Sequence, residues 1–515
     1  TPVCRDLLDW SSKHLKSLRQ EEALPDDELG RSSIQQGWQR SQQLHLVGPQ
    51  VAIRGSSCKF PSTYSDAGFW CSSQAGCDLQ EEVPLTRWDH ESFYDEHPES
   101  WKWGKTNSMH GAFIDGIELF DNKFFGTSAI ESRSMDPCQR HILETSYEAL
   151  HYSGQNKKSL SRSLIGVYIG AAVTEFVYMP RTDSSAGTGG ASSITSNRIS
   201  FCLGLQGPSF TVDTQGASAL TALSSAAMSL RFQTDLYRPN HAAVVGAAYL
   251  MLAGGVWTLS SARGWLSPQG RCFTFDASAD GYVKSEGIAS LVLDRLEKVE
   301  EELDNIPANG FVASTSMNHT GRGASLTASN GPQERELVFN AMRQADIRPS
   351  NVDVVECSSH GLHLQDALEV AVLKDSLRGY SEVPLILSAV NTSCGMMQEC
   401  QGMAQLLKVL VGHKYGSVTP SLHLHQLNVN IDLTDDALVF ASEDIGIEGV
   451  SSFTGTTSKS MGGTMCHAIT LGALQSIREG KQDDDSLRGL REVASMKFWR
   501  QAVDAKPEAE MLEKK

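Results

Sequence analysis

From about residue 51 the chain changes from a polar stretch without apolar runs to an alternation of short apolar runs and longer amphipathic segments, and this continues to about Gly472. Short runs bounded by turn-forming residues predict buried strands at Val51–Gly55, Leu164–Ile169, Ala242–Gly246, Ile288–Leu293, Val352–Glu356 and Leu385–Val390. Apolar residues at helical spacing predict helices over Gln139–Ser153, Ser218–Arg231, Gln333–Gln344 and Met403–His413. Strands alternating with helices predict an α/β fold. No short repeat is visible, which excludes solenoids and propellers. The stretch before this body is rich in Gln and Glu and broken at Pro25-Asp26-Asp27. After it come a polar run, an amphipathic segment at Leu487–Val503 and a charged end.

Composition narrows the classes of function. The 515 residues are 40% hydrophobic and 20% charged, which suits one large globular unit or two domains. Lys and Arg number 44 against 61 Asp and Glu, a formal charge of -17, so neither nucleic acid nor anionic lipid is an expected partner. Eleven cysteines form no paired framework, and the odd count fits a reducing intracellular compartment, cytoplasmic or organellar. No apolar run reaches the roughly 18 residues of a membrane span, so no transmembrane segment is expected. A chain that starts Thr1-Pro2-Val3 is expected to be either processed or a fragment.

A series of short motifs follows in order. Cys58-Lys59-Phe60-Pro61, Phe69-Trp70 and Arg87-Trp88-Asp89 lead to Met135-Asp136-Pro137-Cys138-Gln139-Arg140 and Asn197-Arg198-Ile199-Ser200. Gly207-Pro208-Ser209-Phe210-Thr211-Val212-Asp213-Thr214 comes next, then Phe275-Asp276-Ala277, Asp280-Gly281-Tyr282 and Ser285-Glu286-Gly287. Leu326-Thr327-Ala328-Ser329-Asn330-Gly331-Pro332 and Thr419-Pro420-Ser421-Leu422-His423 complete the set. In these motifs, over Val51 to Ala468, the chain resembles the β-ketoacyl synthases of modular polyketide and fatty-acid assembly. The resemblance implies a thiolase-like α/β fold, with two similar α/β halves in five layers, paired as a homodimer or with a sister subunit. It divides the chain into a polar helical extension (1–48), an N-terminal half (49–300), a C-terminal half (301–472) and a tail (473–515).

Active members of that family use a cysteine to hold the acyl chain, two histidines to donate hydrogen bonds to the thioester oxygen, and a supporting lysine. The resemblance places these four roles on Gly216, Ser358, Asn391 and Met396. An ungapped count between Asp213 and Leu220 gives Gly216, which cannot be acylated and is expected to relax a strained elbow. Glu356 and Asp366 keep the family's spacing of ten and put Ser358 in the first histidine's place, with His360 two positions later. Val390 and Leu406-Leu407-Lys408 bracket Asn391 and Met396. A methionine donates no hydrogen bond and is expected to fill an unused pocket. Gly449-Val450-Ser451-Ser452-Phe453 matches the start of the family's glycine-rich motif, and Thr454–Met461 then reads as an insertion before Gly462-Gly463-Thr464, making a longer loop at the pocket entrance.

The resemblance therefore implies a catalytically inactive synthase-like protein: a scaffold, a silent dimer partner or a structural subunit of a larger assembly. No catalytic residue, cofactor or metal is expected. Gln215 invites comparison with inactive sister subunits and loading-step decarboxylases, which place glutamine at the cysteine position, although here it stands one residue early. Ser209–Val212, a strand that helps pair subunits in the family, predicts a two-fold or pseudo-two-fold partner, and an acyl carrier protein is a further candidate. The alternative is an acyl-carrier-dependent synthase or acyltransferase with relocated groups, drawing on Cys357, Cys394, Cys400 or Cys466. Packing is the competing role for each of these cysteines. Together with His360, His363 and His467 they raise the question of zinc, at weak ligand spacings. Trp101 and Trp103 read as packing or surface anchors.

Overall fold

Eleven strands build one mixed sheet in which the same strand order occurs twice. In the first half, β1 (Gln50–Lys59), β2 (Ile165–Gly170), β3 (Ser209–Val212), β4 (Ala242–Tyr249) and β5 (Gly287–Leu296) lie in the order β3-β2-β4-β5-β1. In the second, β6 (Gly310–His319), β7 (Val352–Glu356), β8 (Leu385–Ser388), β10 (Ser451–Lys459) and β11 (Thr464–Ala473) lie in the order β8-β7-β10-β11-β6, and β9 (Leu438–Phe440) extends the edge beyond β8. Strand directions repeat as well: β2 is parallel to β3 and β4 as β7 is to β8 and β10, while β5 and β11 run antiparallel to their neighbours. An antiparallel contact between β1 and β6 joins the halves. The structure, a computed structural model, describes residues 50–179, 185–233, 237, 239–296, 308–379, 383–433, 437–447 and 451–473. The expectations for residues 1–48 and for the tail beyond 473 lie outside them.

Helices cover both faces. Parallel strands with helices on each side must be apolar throughout, and all six residues of β2 are buried. Helix α1 (Pro137–Tyr152) starts with an Asp136 side chain that accepts from Cys138 N and with Pro137 in the first turn, two standard initiation signals. It packs on β1 and β5, with α2 (Ser192–Leu203) beside it, while α4 (Gly331–Ala345) and α5 (His363–Leu377) cover the second half. Between the halves lie α3 (Ser218–Arg231) and α6 (Gln401–Tyr415), and α6 is buried continuously from Gln401 to His413. Their residues Leu220, Leu223, Met403 and Leu407 share one core with strands of both halves. Outer helices, sheet, inner helices, sheet and outer helices make the five layers of a thiolase-like fold.

The expected strands and helices are present within a few residues of their predicted ends. Strands β6, β10 and β11 and helix α5 were not legible in the hydrophobic pattern. Their sequences carry hydroxyls at core positions, and Ser314, Thr456, Ser458 and Thr470 are fully buried. One expectation is overturned. Thr454–Lys459, read as the start of an inserted loop, is the second part of β10, paired residue by residue with β11 from Ser451↔Ala473 to Lys459↔Met465 around a tight turn. The hairpin has no room for an insertion. Gly455 to His467 meets the glycine-rich motif's own length without a gap, and the His467 ring lies against Gly455, where an added Cβ would stand 2.8 Å from Cε1.

Candidate functional site

The site forms where β3 hands the chain to α3. Thr214 N donates to Ser218 Oγ (2.8 Å) and Gln215 N to Asp213 Oδ1 (3.0 Å), so side chains from both ends brace the turn Gln215–Ala217. The left-handed residue of this elbow is Gln215, at φ 50°, and Gly216 lies outside that region, which corrects the expectation that glycine at 216 relaxes the strain. Glycine is needed at 216 for close approach. A Cβ there would lie 2.5 Å from the Lys459 carbonyl oxygen and 3.2 Å from Met396 Cε, and the Ser458 hydroxyl donates to Gly216 O. The end of β10 occupies the space in front of α3.

Of the other positions singled out in the sequence, Met396 meets Gly216 directly, Ser358 is linked to it through Lys459, and Asn391 lies against the neighbouring Ser359. Ser358 Oγ accepts from Lys459 N (3.2 Å), and Met396 Cε lies beside the position a Cβ on Gly216 would take. Met396 is fixed by its own backbone, with its N–H on Val283 O (2.7 Å) and its carbonyl accepting from Ser285 N (2.9 Å). Asn391 Nδ2 donates to Ser359 O, and Asn391 Oδ1 accepts from Thr274 Oγ1 (3.3 Å). All four are buried.

A charged cluster that the sequence reading missed holds this arrangement together. Lys459 Nζ lies 2.7 Å from Glu334 Oε2 and 3.3 Å from Glu369 Oε2. Glu369 also accepts from Ser358 N (3.0 Å) and from Ser359 N (2.9 Å) and Oγ (3.1 Å). Burial pushes the Glu369 carboxyl upward, but Lys459 and the two N–H groups outweigh it and hold the group below its ordinary range. Burial likewise pulls on Lys459, and the two carboxylates overcome it and keep the ammonium charged to higher pH. A lysine at the end of a strand rich in Ser and Thr was the available signal. A second buried cluster sets Lys284 near Tyr249 Oη (3.4 Å), with burial lowering Lys284 to about 8 and raising Glu399 to about 7.

The candidate nucleophiles of the alternative reading are packed away. Cys357, Cys394, Cys400 and Cys466 are each at most 1% exposed. Burial raises Cys394 to about 12 and Cys466 to about 11, and it raises Cys357 and Cys400 as well, the opposite of what activates a thiolate. His363 Nδ1 faces Asn428 Oδ1 (3.4 Å), His467 Nδ1 faces Thr457 Oγ1 (2.9 Å), and the described residues hold no group of three His, Cys, Asp or Glu placed to bind a metal. Trp101 and Trp103 lie at the surface, 39% and 50% exposed.

Three buried imidazoles set a pH dependence. Burial lowers His360, His413 and His467 to about 4, against an ordinary value of 6.5. The unfolded chain then binds more protons than the folded one between these values. The share of stability carried by these histidines is therefore expected to fall as pH drops from 6.5 towards about 4, by up to about 1.4 kcal/mol per pH unit for each, while Glu399 and Asp366, raised by burial to about 7, act in the opposite sense. Urea midpoints of wild type and His413→Gln across that window check this: the variant's midpoint should fall less steeply with falling pH, and equal slopes contradict it.

Two family models match this chain on these motifs: the N-terminal domain of β-ketoacyl synthase over residues 49–299 and its C-terminal domain over 309–425. The chain belongs to the β-ketoacyl synthase family. One of the phenolphthiocerol/phthiocerol polyketide synthase subunits of Mycobacterium tuberculosis is 33% identical over 470 residues, 88% of this chain and 29% of that protein. Polyketide synthase GfsB of Streptomyces halstedii is 34% identical over 409 residues, 77% of this chain and 7% of that protein. The chain thus spans under a third of the length of these relatives. Among solved structures, an oxazolomycin ketosynthase domain of Streptomyces albus superposes with a TM-score of 0.76 at 28% identity, covering 82% of this chain and 75% of that one. The ketosynthase from module 6 of the bacillaene synthase of Bacillus subtilis has the same fold, with a TM-score of 0.73 at 24% identity over 82% of this chain and 72% of that one. No helix among the described residues is long and apolar enough to cross a membrane.

Proposed function

We propose that this ketosynthase-like domain does not condense acyl groups and serves as a protein-contact body: a scaffold, the silent partner of an active synthase, or a structural subunit of a polyketide-synthase-like assembly. The observation that carries this reading is the seating of the Lys459 carbonyl 2.5 Å from where a side chain on Gly216 would begin. On this reading Gly216, Ser358, Asn391 and Met396 stand at the positions where the family has its nucleophile, two histidines and lysine. A thiol and two imidazole donors are then missing together, and the Lys459 cluster fills the place where a thioester would react. The relocated-nucleophile alternative has against it the burial and raised pKa of Cys394 and Cys466. Incubation with labelled malonyl thioester is expected to release no carbon dioxide. Sustained release that alkylation of Cys394 or Cys466 removes would overturn the proposal.

The contact role has a concrete surface. Strand β3 ends the sheet, pairs only with β2 among the described residues, and exposes Phe210 to 41%. An unpaired edge is a template for another strand. We place a two-fold or pseudo-two-fold partner along Ser209–Val212, either a second copy of this chain or a sister ketosynthase. Sedimentation at micromolar concentration is expected to show a dimer that Phe210→Asp dissociates, or a stable pair with an active synthase recovered from the native source. A protein that stays monomeric and recovers no synthase in that pull-down contradicts the pairing.

A further inference from the structure

Beside the charged cluster lies a small pocket, partly open to solvent, whose wall includes Thr327, Ser329, Glu334, His360, Lys459 and Met461. Two of these side chains are buried yet incompletely bonded. Glu334, 4% exposed, has no hydrogen-bond partner at Oε1 among the described residues, and His360, 3% exposed, has none at Nε2. Leaving a buried polar atom unpaired is costly, so two on one wall point to a group that satisfies both.

Charge decides what kind of group. Lys459 bridges Glu334 and Glu369, so two carboxylates share one ammonium and a negative charge is left over in a buried place. His360 does not neutralise it, because burial keeps that imidazole in its uncharged form down to about pH 4. A metal ion would need several protein ligands, and no group of three candidate ligands is assembled among the described residues. A cation that brings its own N–H donors fits the wall: one donor for the carboxylate, one for the imidazole nitrogen and one for a hydroxyl.

We propose that this cavity binds a primary alkylammonium ion, with its N–H groups shared among Glu334 Oε1, His360 Nε2 and the hydroxyl of Thr327 or Ser329, and its short alkyl chain against Met461. The site goes beyond the noncatalytic reading and does not depend on it, since neither Gly216 nor Met396 takes part. Full-length protein titrated with ethylammonium chloride at fixed ionic strength is expected to show a saturable rise in Tm and a saturable calorimetric signal. Tetraethylammonium chloride, of equal charge but without N–H, is expected to give neither. Glu334→Gln and Thr327→Phe, the second filling the cavity without touching the ion cluster, should each weaken ethylammonium binding by about tenfold or more. If Glu334→Gln fails to fold, Thr327→Phe decides alone. Identical, non-saturating responses to the two salts, or ethylammonium binding unchanged in the Thr327→Phe protein, would overturn the proposal.

Discussion

Gly216→Cys is expected to leave the protein unable to take up an acyl group and to destabilise it by about 1–3 kcal/mol, the usual range for adding atoms to a packed site. The added Cβ would start 2.5 Å from the Lys459 carbonyl oxygen and 3.2 Å from Met396 Cε. The first neighbour is backbone, held in a strand paired with β11 through Lys459↔Met465, and it cannot swing aside as a side-chain tip can. The thiol would also lie beside Met396, which under the proposed function stands in place of an imidazole donor. Restoring one functional group into this pocket therefore restores neither its room nor its donors. Denaturant midpoints and intact mass after exposure to an acyl thioester measure both effects. A Gly216→Cys protein as stable as the wild type that acylates readily would show that the cavity is open.

The second large effect is at Lys459. Lys459→Met removes the ammonium that bridges Glu334 and Glu369 and should cost about 3–5 kcal/mol, because it leaves carboxylates buried without this counter-ion. The pH dependence should reverse in sign. In the wild type Glu369 is held below its ordinary value, so its contribution is present above the unfolded carboxyl pKa and is lost as pH falls through the folded one. Without Lys459, burial dominates and raises the Glu369 pKa, so the variant loses stability as pH rises above the unfolded value. Adding Glu369→Gln to Lys459→Met should recover part of the loss, since the amide oxygen still accepts from Ser358 and Ser359. Urea titrations at pH 3.5, 5 and 8 would separate the two slopes, since the Glu369 loss in the wild type lies below the ordinary value of 4.5 and that of the variant above it. A Lys459→Met protein within about 0.5 kcal/mol of the wild type at all three pH values would mean the cluster is solvated and structurally incidental.

Much of the fold could be read from the chain because buried parallel strands such as Ile165–Gly170 and Val352–Glu356 are short apolar runs, and helices such as Ser218–Arg231 keep a regular period. The rest was hidden by serine and threonine. Strand β10 reads Ser-Ser-Phe-Thr-Gly-Thr-Thr-Ser-Lys, a loop-like composition, yet Thr456 and Ser458 are fully buried, Ser458 donates to Gly216 O and Thr457 pairs with His467. That disguise produced the false insertion and concealed Lys459, whose role depends on Glu334 more than 100 residues earlier in the chain. Gly216, Ser358, Asn391 and Met396 were singled out through spacing to Asp213, Glu356 and Leu406. The cause of glycine at 216 was not legible, because strain at Gln215 and the approach of a distant carbonyl leave no local trace.

The proposed loss of covalent chemistry at Gly216 is tested most directly by the intact mass of the wild-type protein after incubation with a malonyl- or acyl-loaded carrier protein. The chain is expected to stay unmodified at every time point. A stoichiometric acyl adduct, mapped by fragmentation to any cysteine and discharged on addition of malonyl carrier, would contradict it.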